Sequence, residues 1–301
     1  MRNIKNVIKK ILPKKILYNC FLVFQKIKSK KNMKSIKKEI SKRYYRVYGN
    51  RLNWKNPIKY SEKMNISKVM FPTEIKSELT DKYLVRNWIK KQIGEQYLIP
   101  LIGVYNSFDE IDFDKLPNKF VIKCNHDSSS VTIVKDKNTI NYKKLKTKYD
   151  YYMKRNYAFV SYEMHYKDIK PLILIEKYMG DSLKDYKFLC FNGKPYYCWV
   201  DFDRFNNHKR NIYDMNWILQ EFNQMNYGNY EKKVLKPKNF DKMIKIVTFL
   251  SKNFNHVRVD LYEIDNRIYF GEMTFTNGSG LEKITPDSYD CLLGSLWKNI
   301  N

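Results

Sequence analysis

Glycine and proline are scarce in this chain, 10 and 9 among 301 residues. Collagen-like and low-complexity readings are therefore excluded. The five cysteines (Cys20, Cys124, Cys190, Cys198 and Cys291) are odd in number, and none falls in a C-x-x-C pair. That disfavours a disulfide framework and a cysteine zinc site, and it fits a reducing cytosol. The four histidines, His126, His165, His208 and His256, show no metal-ligand spacing. No apolar stretch reaches the roughly 18 residues of a membrane-crossing helix. The stretch Ile16 to Phe24 is interrupted by Tyr18-Asn19-Cys20, and no small-residue cleavage site follows it. Neither a transmembrane helix nor a secretory leader is expected.

Acids are almost missing from residues 1–60, which hold 19 Lys and Arg against Glu39 alone. The other 241 residues hold 38 bases and 30 acids. The basicity belongs to the N-terminal segment and suggests an acidic partner there: anionic lipid, nucleic acid or a charged polymer. Residues 2–31 read as amphipathic helix, with Ile4, Val7, Ile8, Ile11 and Leu12 at 3–4 spacing and Pro13 breaking the run. Two readings stay open: residues 1–31 lie on an anionic inner leaflet, or they form a Lys-rich helix packed on the body. Tyr44, Tyr45 and Tyr48 interleave with Arg43 and Arg46 as stacking groups would. No nucleic-acid motif follows, and the body is only mildly basic, so no nucleic-acid partner is expected.

Aromatic residues are abundant at 16%, with 25 Tyr, and hydrophobic residues make up 43%. A chain of this length and composition can bury a substantial core. From Asn56 onward the pattern is globular. A helix starts at Thr80-Asp81, with Leu84, Val85, Trp88 and Ile89 as its buried stripe. Leu101–Tyr105, Phe120–Lys123 and Leu172–Glu176 read as strands, and Tyr186–Phe191 and Tyr196–Val200 as a hairpin across Asn192-Gly193. Phe240–Phe254 reads as a helix, followed by strands Val257–Tyr262 and Ile268–Glu272 around Asp265-Asn266. This is α+β texture without an internal repeat.

Three segments carry chemistry. In the first, Lys123 ends a buried strand and the small-residue loop Asn125–Val131 follows, with Ser128, Ser129 and Ser130 in it. Backbone N–H groups and hydroxyls of such a loop can cradle phosphates, although a solvated hairpin would look the same. In the second, a strand ends in Glu176-Lys177-Tyr178, and Asp185-Tyr186-Lys187 follows nine residues on. In the third, Asp260 and Glu272 interrupt apolar strands, and Arg258 shares a face with Asp260. Two carboxylates and an arginine converging there suit an oxygen-ligand magnesium site with an anion partner, the alternative being a cross-strand salt bridge.

Taken in order over roughly residues 78–298, these segments resemble the ATP-grasp superfamily, and within it the TupA-like family of bacterial surface-polymer gene clusters. The resemblance is carried by Asp81-Lys82-Tyr83 with Val85-Arg86, Ile99-Pro100, Leu116-Pro117 and Phe120-Val121-Ile122-Lys123. It continues through Glu176-Lys177-Tyr178, Asp185-Tyr186-Lys187-Phe188 and Phe191-Asn192-Gly193-Lys194-Pro195. It closes with Arg258-Val259-Asp260-Leu261-Tyr262, Phe270-Gly271-Glu272-Met273-Thr274-Phe275 and Gly280. The implied fold is ATP-grasp, two α+β subdomains (61–170 and 171–301) clasping ATP, after a basic helical extension (1–60).

The resemblance also implies roles. Lys82 and Lys123 contact ATP phosphates under the serine loop. Glu176, Lys177 and Tyr178 form the adenine hinge, and Asp185 with Lys187 lies by the ribose and phosphates. Asp260, Glu272 and Thr274 hold magnesium, and Arg258 with Lys123 serves the acyl-phosphate step. Two departures stand out: Thr274 occupies a position where many ATP-grasp enzymes have Asn, and serines replace the usual loop glycines. The implied activity is an ATP- and Mg2+-dependent carboxylate–amine ligase in the cytoplasm or peripheral at the inner membrane. Its partners would be a carboxylate-bearing glycan or sugar acceptor and an amine, with Asp201, Asp203 and Arg204 facing the acceptor. The rival reading is a glycosyltransferase using Asp201-Phe202-Asp203 as a D-x-D motif, although no nucleotide-binding βαβ unit precedes it.

Overall fold

The computed structural model describes residues 13–181, 184–202, 208–225 and 227–300. Pro13 fits the start of helix α1 (Lys14–Ser29), because a proline in extended conformation can precede a helix without losing an internal bond. Residues 2–12 of the sequence-predicted helix lie outside the described residues. Helix α2 (Met33–Tyr48) is capped by the Asn32 side chain and ends at Gly49 in the left-handed region. Helices α3 (Tyr60–Met70), α4 (Glu74–Thr80) and α5 (Leu84–Gln92) follow. Asp81 separates the last two, its Oδ1 accepting from the amides of Tyr83 and Leu84 at 2.7 and 3.2 Å. In α5 the buried stripe is Val85 and Ile89; Leu84, expected inside, is exposed.

A four-stranded antiparallel sheet is built from β1 (Leu101–Tyr105), β2 (Phe120–Cys124), β3 (Thr132–Val134) and β4 (Ile173–Lys177), in the order β1-β4-β2-β3. Phe120, Ile122, Ile173 and Ile175 pack against Leu145 and Tyr149 of α6 (Tyr142–Lys154). The short helix α7 (Ala158–Ser161) leads back towards β4.

The second sheet has five antiparallel strands: β5 (Lys184–Phe191), β6 (Lys194–Phe202), β7 (Lys209–Asp214), β9 (His256–Ile264) and β10 (Arg267–Thr274). Their order is β10-β9-β5-β6-β7. A small two-stranded pair joins β8 (Asn223–Gln224) to β11 (Ile284–Thr285). The five-stranded sheet is covered on both faces at the end of β5 where Phe188–Phe191 form a continuous apolar run. Phe188 and Cys190 meet Phe240, Met243 and Val247 of α8 (Phe240–Ser251). Leu189 and Phe191 point the other way, onto Tyr60 and Met64 of α3 and Leu293 of α9 (Asp287–Leu296).

The N-terminal segment is not merely appended. Ile36, Ile40 and Tyr44 of α2 are buried in one cluster with Leu52, Val69, Phe159 and Tyr162. The Tyr44 hydroxyl lies 3.0 Å from Ser61 Oγ, and Tyr48 donates to the Gly280 carbonyl at 3.2 Å.

Candidate active site

Between the two sheets lies a cavity of about 760 Å³. Strand register explains what lines it. Val121 of β2 is opposite Glu176 of β4, so Lys123, two residues on, shares a face with the glutamate. Lys123 Nζ reaches Glu176 Oε2 at 2.7 Å, and Arg86 from α5 reaches Oε1 at 3.3 Å. Glu176 is thus a buried carboxylate held by two cations at the cavity wall. Lys177 and Tyr178 continue the wall, and Lys82 and Asp185 also line it.

The loop joining β2 to β3 is organised by its own side chains. Asp127 Oδ1 accepts from the Ser129 and Ser130 amides at 3.3 and 3.1 Å and from Ser130 Oγ at 2.6 Å. Ser130 Oγ in turn accepts from the Cys124 amide at 2.7 Å, so Ser130 is buried beneath the loop. Ser128 and Ser129 are exposed at the tip and line the cavity. Lys82 Nζ donates to the Asp127 carbonyl, and its amide donates to the Asn125 carbonyl at 3.1 Å. The lysine and the serine loop, remote in sequence, therefore form one corner. His126 is buried and engaged with the Asn125 side chain and the Tyr152 and Arg155 carbonyls. Burial lowers its pKa, and its part is structural.

A charge cluster stands on the five-stranded sheet beside the cavity; Arg258, Asp260, Glu272 and Thr274 do not themselves line it, whereas Asp185, Tyr262, Phe270 and Gly271 of the same strands do. Asp260 of β9 and Glu272 of β10 are register partners, with a bulge between Phe270 and Glu272. Arg258 grips both: Nε and Nη2 donate to Asp260 at 2.7 and 2.8 Å, and Nη2 donates to Glu272 Oε1 at 2.7 Å. Lys187 of β5 donates to Asp185 and lies 3.3 Å from Asp260 Oδ2, which connects the cluster to the cavity wall. Burial pushes the Asp260 carboxyl up, against the pull of Arg258 and Lys187. Burial acts the same way on Glu272, yet Arg258, Lys82 and Lys187 together hold it down to about 2. Burial also opposes the charge on Arg258, but the two carboxylates prevail and raise its pKa.

Among the described residues no cluster of three or more His, Cys, Asp and Glu side chains could cage a metal. Magnesium is commonly held by one or two carboxylates plus substrate phosphates, and Glu272 fits that use; both Asp260 oxygens accept from Arg258, so Asp260 would have to release one of these bonds to join it. Glu272 keeps 36% of its side chain exposed, and its bonds to Arg258 and Thr274 both use Oε1. Thr274 Oγ1 donates to Glu272 at 2.9 Å, so its hydroxyl proton is already committed.

Sequence reasoning gave no role to Arg86, the second cation on Glu176, or to Asn277. Asn277 Oδ1 accepts from Arg258 Nη1 at 2.5 Å, and its amide donates to Gln224 at 3.1 Å. This places an amide oxygen beside the two carboxylates, three residues beyond Thr274. The Asn277-Gly278-Ser279-Gly280 turn was the available signal. Asp201 is gripped by Arg210 at 2.6 and 3.1 Å, with His208 Nε2 at 3.1 Å. Asp203 and Arg204 lie outside the described residues.

The class this arrangement suits is a nucleotide-clasping α+β enzyme, with a phosphate corner at one cleft and a carboxylate–arginine cluster joined to its wall through Lys187 and Asp185. A family profile described as TupA-like ATPgrasp matches residues 62–298. The chain belongs to the TupA-like ATP-grasp family.

Similar solved structures include a D-alanine–D-alanine ligase from Helicobacter pylori at 16% identity, covering 72% of this chain and 61% of that one with TM-score 0.39. An L-amino acid ligase from Bacillus licheniformis is 14% identical over 68% of this chain and 45% of that one, TM-score 0.39. The ATP-grasp ligase PsnB, complexed with a minimal precursor, is 9% identical over 76% of this chain and 63% of that one, TM-score 0.40. The match thus spans less than two thirds of each of these proteins' length. Comparison with curated proteins gives no match.

Proposed function

We propose that this chain is an ATP-dependent carboxylate–amine ligase that modifies a cell-surface polysaccharide precursor in the cytoplasm. The observation that carries the reading is the meeting of Lys82, Lys123, the Ser128–Ser129 loop tip, Glu176–Tyr178 and Asp185 around one cavity, with the Arg258–Asp260–Glu272 cluster joined to it through Lys187.

On this reading the nucleotide base lies along Glu176, Lys177 and Tyr178, and Asp185 takes the ribose hydroxyls. Lys82, Lys123 and the loop amides neutralise phosphate oxygens. A carboxylate oxygen of the acceptor attacks the γ-phosphorus, the bond to the β-phosphate oxygen breaks, and ADP leaves. The amine then attacks the carbonyl carbon of the acyl phosphate, inorganic phosphate departs, and the amine loses a proton as the amide forms. Arg258 holds the charge that develops on the acyl phosphate. Magnesium held by Asp260 and Glu272, with Thr274 or Asn277 contributing an oxygen, would screen the triphosphate from the incoming carboxylate.

The acceptor class proposed is a uronic acid or similar carboxylate-bearing sugar, and the amine an amino acid or amino sugar. Asp201 lies at the acceptor side, together with Asp203 and Arg204. The glycosyltransferase reading has no support from the family profile, which is an ATP-grasp one.

The test is release of ADP and phosphate by the purified chain with magnesium, a panel of uronic acids and a panel of amines, run beside nucleotide-sugar hydrolysis. ADP formation that needs both a carboxylate and an amine is expected. Nucleotide-sugar hydrolysis without any ATP turnover would overturn the proposal.

A further inference from the structure

Helix α1 has two apolar faces, and only one is used. Tyr18, Leu22 and Gln25 are half-buried against the body, with Tyr18 stacked on Tyr151 at 4.1 Å. Lys28 fixes the same side by donating to the Phe159 and Val160 carbonyls at 3.0 and 3.2 Å. The helix cannot roll to bury its other side without breaking these contacts. That other side carries Ile16, Cys20, Val23, Phe24 and Ile27, spaced at three and four residues and therefore in one stripe. Val23 is 60% exposed, Phe24 62% and Ile27 55%. Large apolar side chains aligned this way and left in water mark a surface that something covers.

Charge identifies the cover. The stripe is bordered by Lys15, Lys26 and Lys30, and no described acid lies within ion-pair distance of them. Glu39, the one acid of residues 1–60, is already taken by Lys31 at 2.5 Å, Arg43 at 2.6 Å and Tyr162 at 2.8 Å. A second copy of the chain would bring the same unneutralised lysines against these. An anionic lipid surface supplies both needs at once, acyl chains for the stripe and headgroup phosphates for the lysines.

We infer that α1 docks the protein on an anionic lipid surface, with the Ile16–Ile27 stripe entering the acyl boundary and Lys15, Lys26 and Lys30 at the headgroups. The inference does not depend on the ligase reading, and its test does not use turnover. The full chain is floated with vesicles of phosphatidylcholine alone and of phosphatidylcholine mixed with phosphatidylglycerol. Binding is expected only to the mixed vesicles. Val23→Ser/Phe24→Ser/Ile27→Ser should weaken that binding by about tenfold or more, because apolar insertion contributes alongside charge. Lys15→Glu/Lys26→Glu/Lys30→Glu should weaken it comparably. All six positions are at the surface, so thermal unfolding should be unchanged in both variants. No binding by the wild-type chain, or equal binding by the serine variant, overturns the proposal. So does self-association of the wild-type chain without lipid that the serine variant abolishes, which would make a second copy the cover.

Discussion

Lys187 and Asp260 are direct register partners on β5 and β9, and the ammonium lies 3.3 Å from the carboxylate. The lysine also donates to Asp185, and both of its acidic partners are buried. Lys187→Met would leave these carboxylates with one cation fewer in a dry site. Breaking a buried ion pair from one side removes about 3–5 kcal/mol of stability. Urea unfolding should show a loss of that order, well above what an exposed lysine would give.

The metal assignment is tested by Asp260→Asn and Glu272→Gln. Each removes an anionic oxygen from the place where the triphosphate must be screened, so magnesium-dependent ATP turnover should fall on the order of 100-fold. Asp201→Asn should leave ATP binding largely intact, measured by calorimetric titration of the same preparations. The opposite ranking would exclude the carboxylate pair as metal ligands.

Lys82→Met and Lys123→Met should each weaken ATP binding by about 1–3 kcal/mol, the range for a charge-assisted bond to phosphate. The two should differ in a second property. Lys123→Met leaves Glu176 to Arg86 alone, at 3.3 Å, so it should also lower the melting temperature. Fluorescence titration and thermal scans without nucleotide check both statements.

Truncation should act in two stages. Without residues 1–31 the body keeps its core, because α1 contributes no fully buried residue. Removal through Gly49 strips Ile36, Ile40 and Tyr44 from the cluster around Val69, Phe159 and Tyr162. Loss of a single large buried side chain removes roughly 2–5 kcal/mol, so the longer truncation should yield unfolded or insoluble protein. Circular dichroism of the two fragments decides it.

His165 and His256 set a pH dependence. Burial lowers both from 6.5 to about 3. Their contribution to stability is complete above pH 6.5. Below it the unfolded chain takes up protons that the folded chain refuses, and stability is lost as pH falls towards 3. His165→Phe should make the fall of melting temperature over that interval shallower than in the wild-type chain.

Local patterns show in the sequence wherever one residue's neighbours decide its place. The hairpin around Asp265-Asn266 and the shared face of Arg258 and Asp260 follow from period-two alternation, and both are present. The apolar run Phe188–Phe191 of β5 marks a strand but not that opposite faces meet α3 and α8, since continuous hydrophobicity has no preferred side. The exposure of Leu84 was hidden for a similar reason: helical spacing gives a stripe's width, not which edge of it the core reaches. Arg86 on Glu176 and Lys82 on the Asp127 carbonyl join segments far apart in the chain, and no spacing rule contains them. Nor does composition reveal that α2 is part of the core, because its lysines mask the 36-40-44 stripe.

The bulge at Gly271 makes strand length as informative as strand composition. Phe270 pairs with Leu261 and Glu272 with Asp260, so Gly271 is the extra residue. A Cβ there would stand 3.0 Å from the Asp260 carbonyl oxygen, tight enough that the facing backbone would have to give slightly. The extra residue lets Phe270 and Met273, three apart, both face the core while Glu272 and Thr274 face Asp260 and Arg258. Deleting Gly271 would alter no chemical group in the site and would leave Phe270 opposite Leu261, Glu272 opposite Asp260 and Met273 opposite Val259, so each side chain would keep its face. For this strand one residue is spare in length, and loss of Gly271 should be easier to tolerate than loss of Glu272 or Met273, which would turn the residues beyond it to the opposite face.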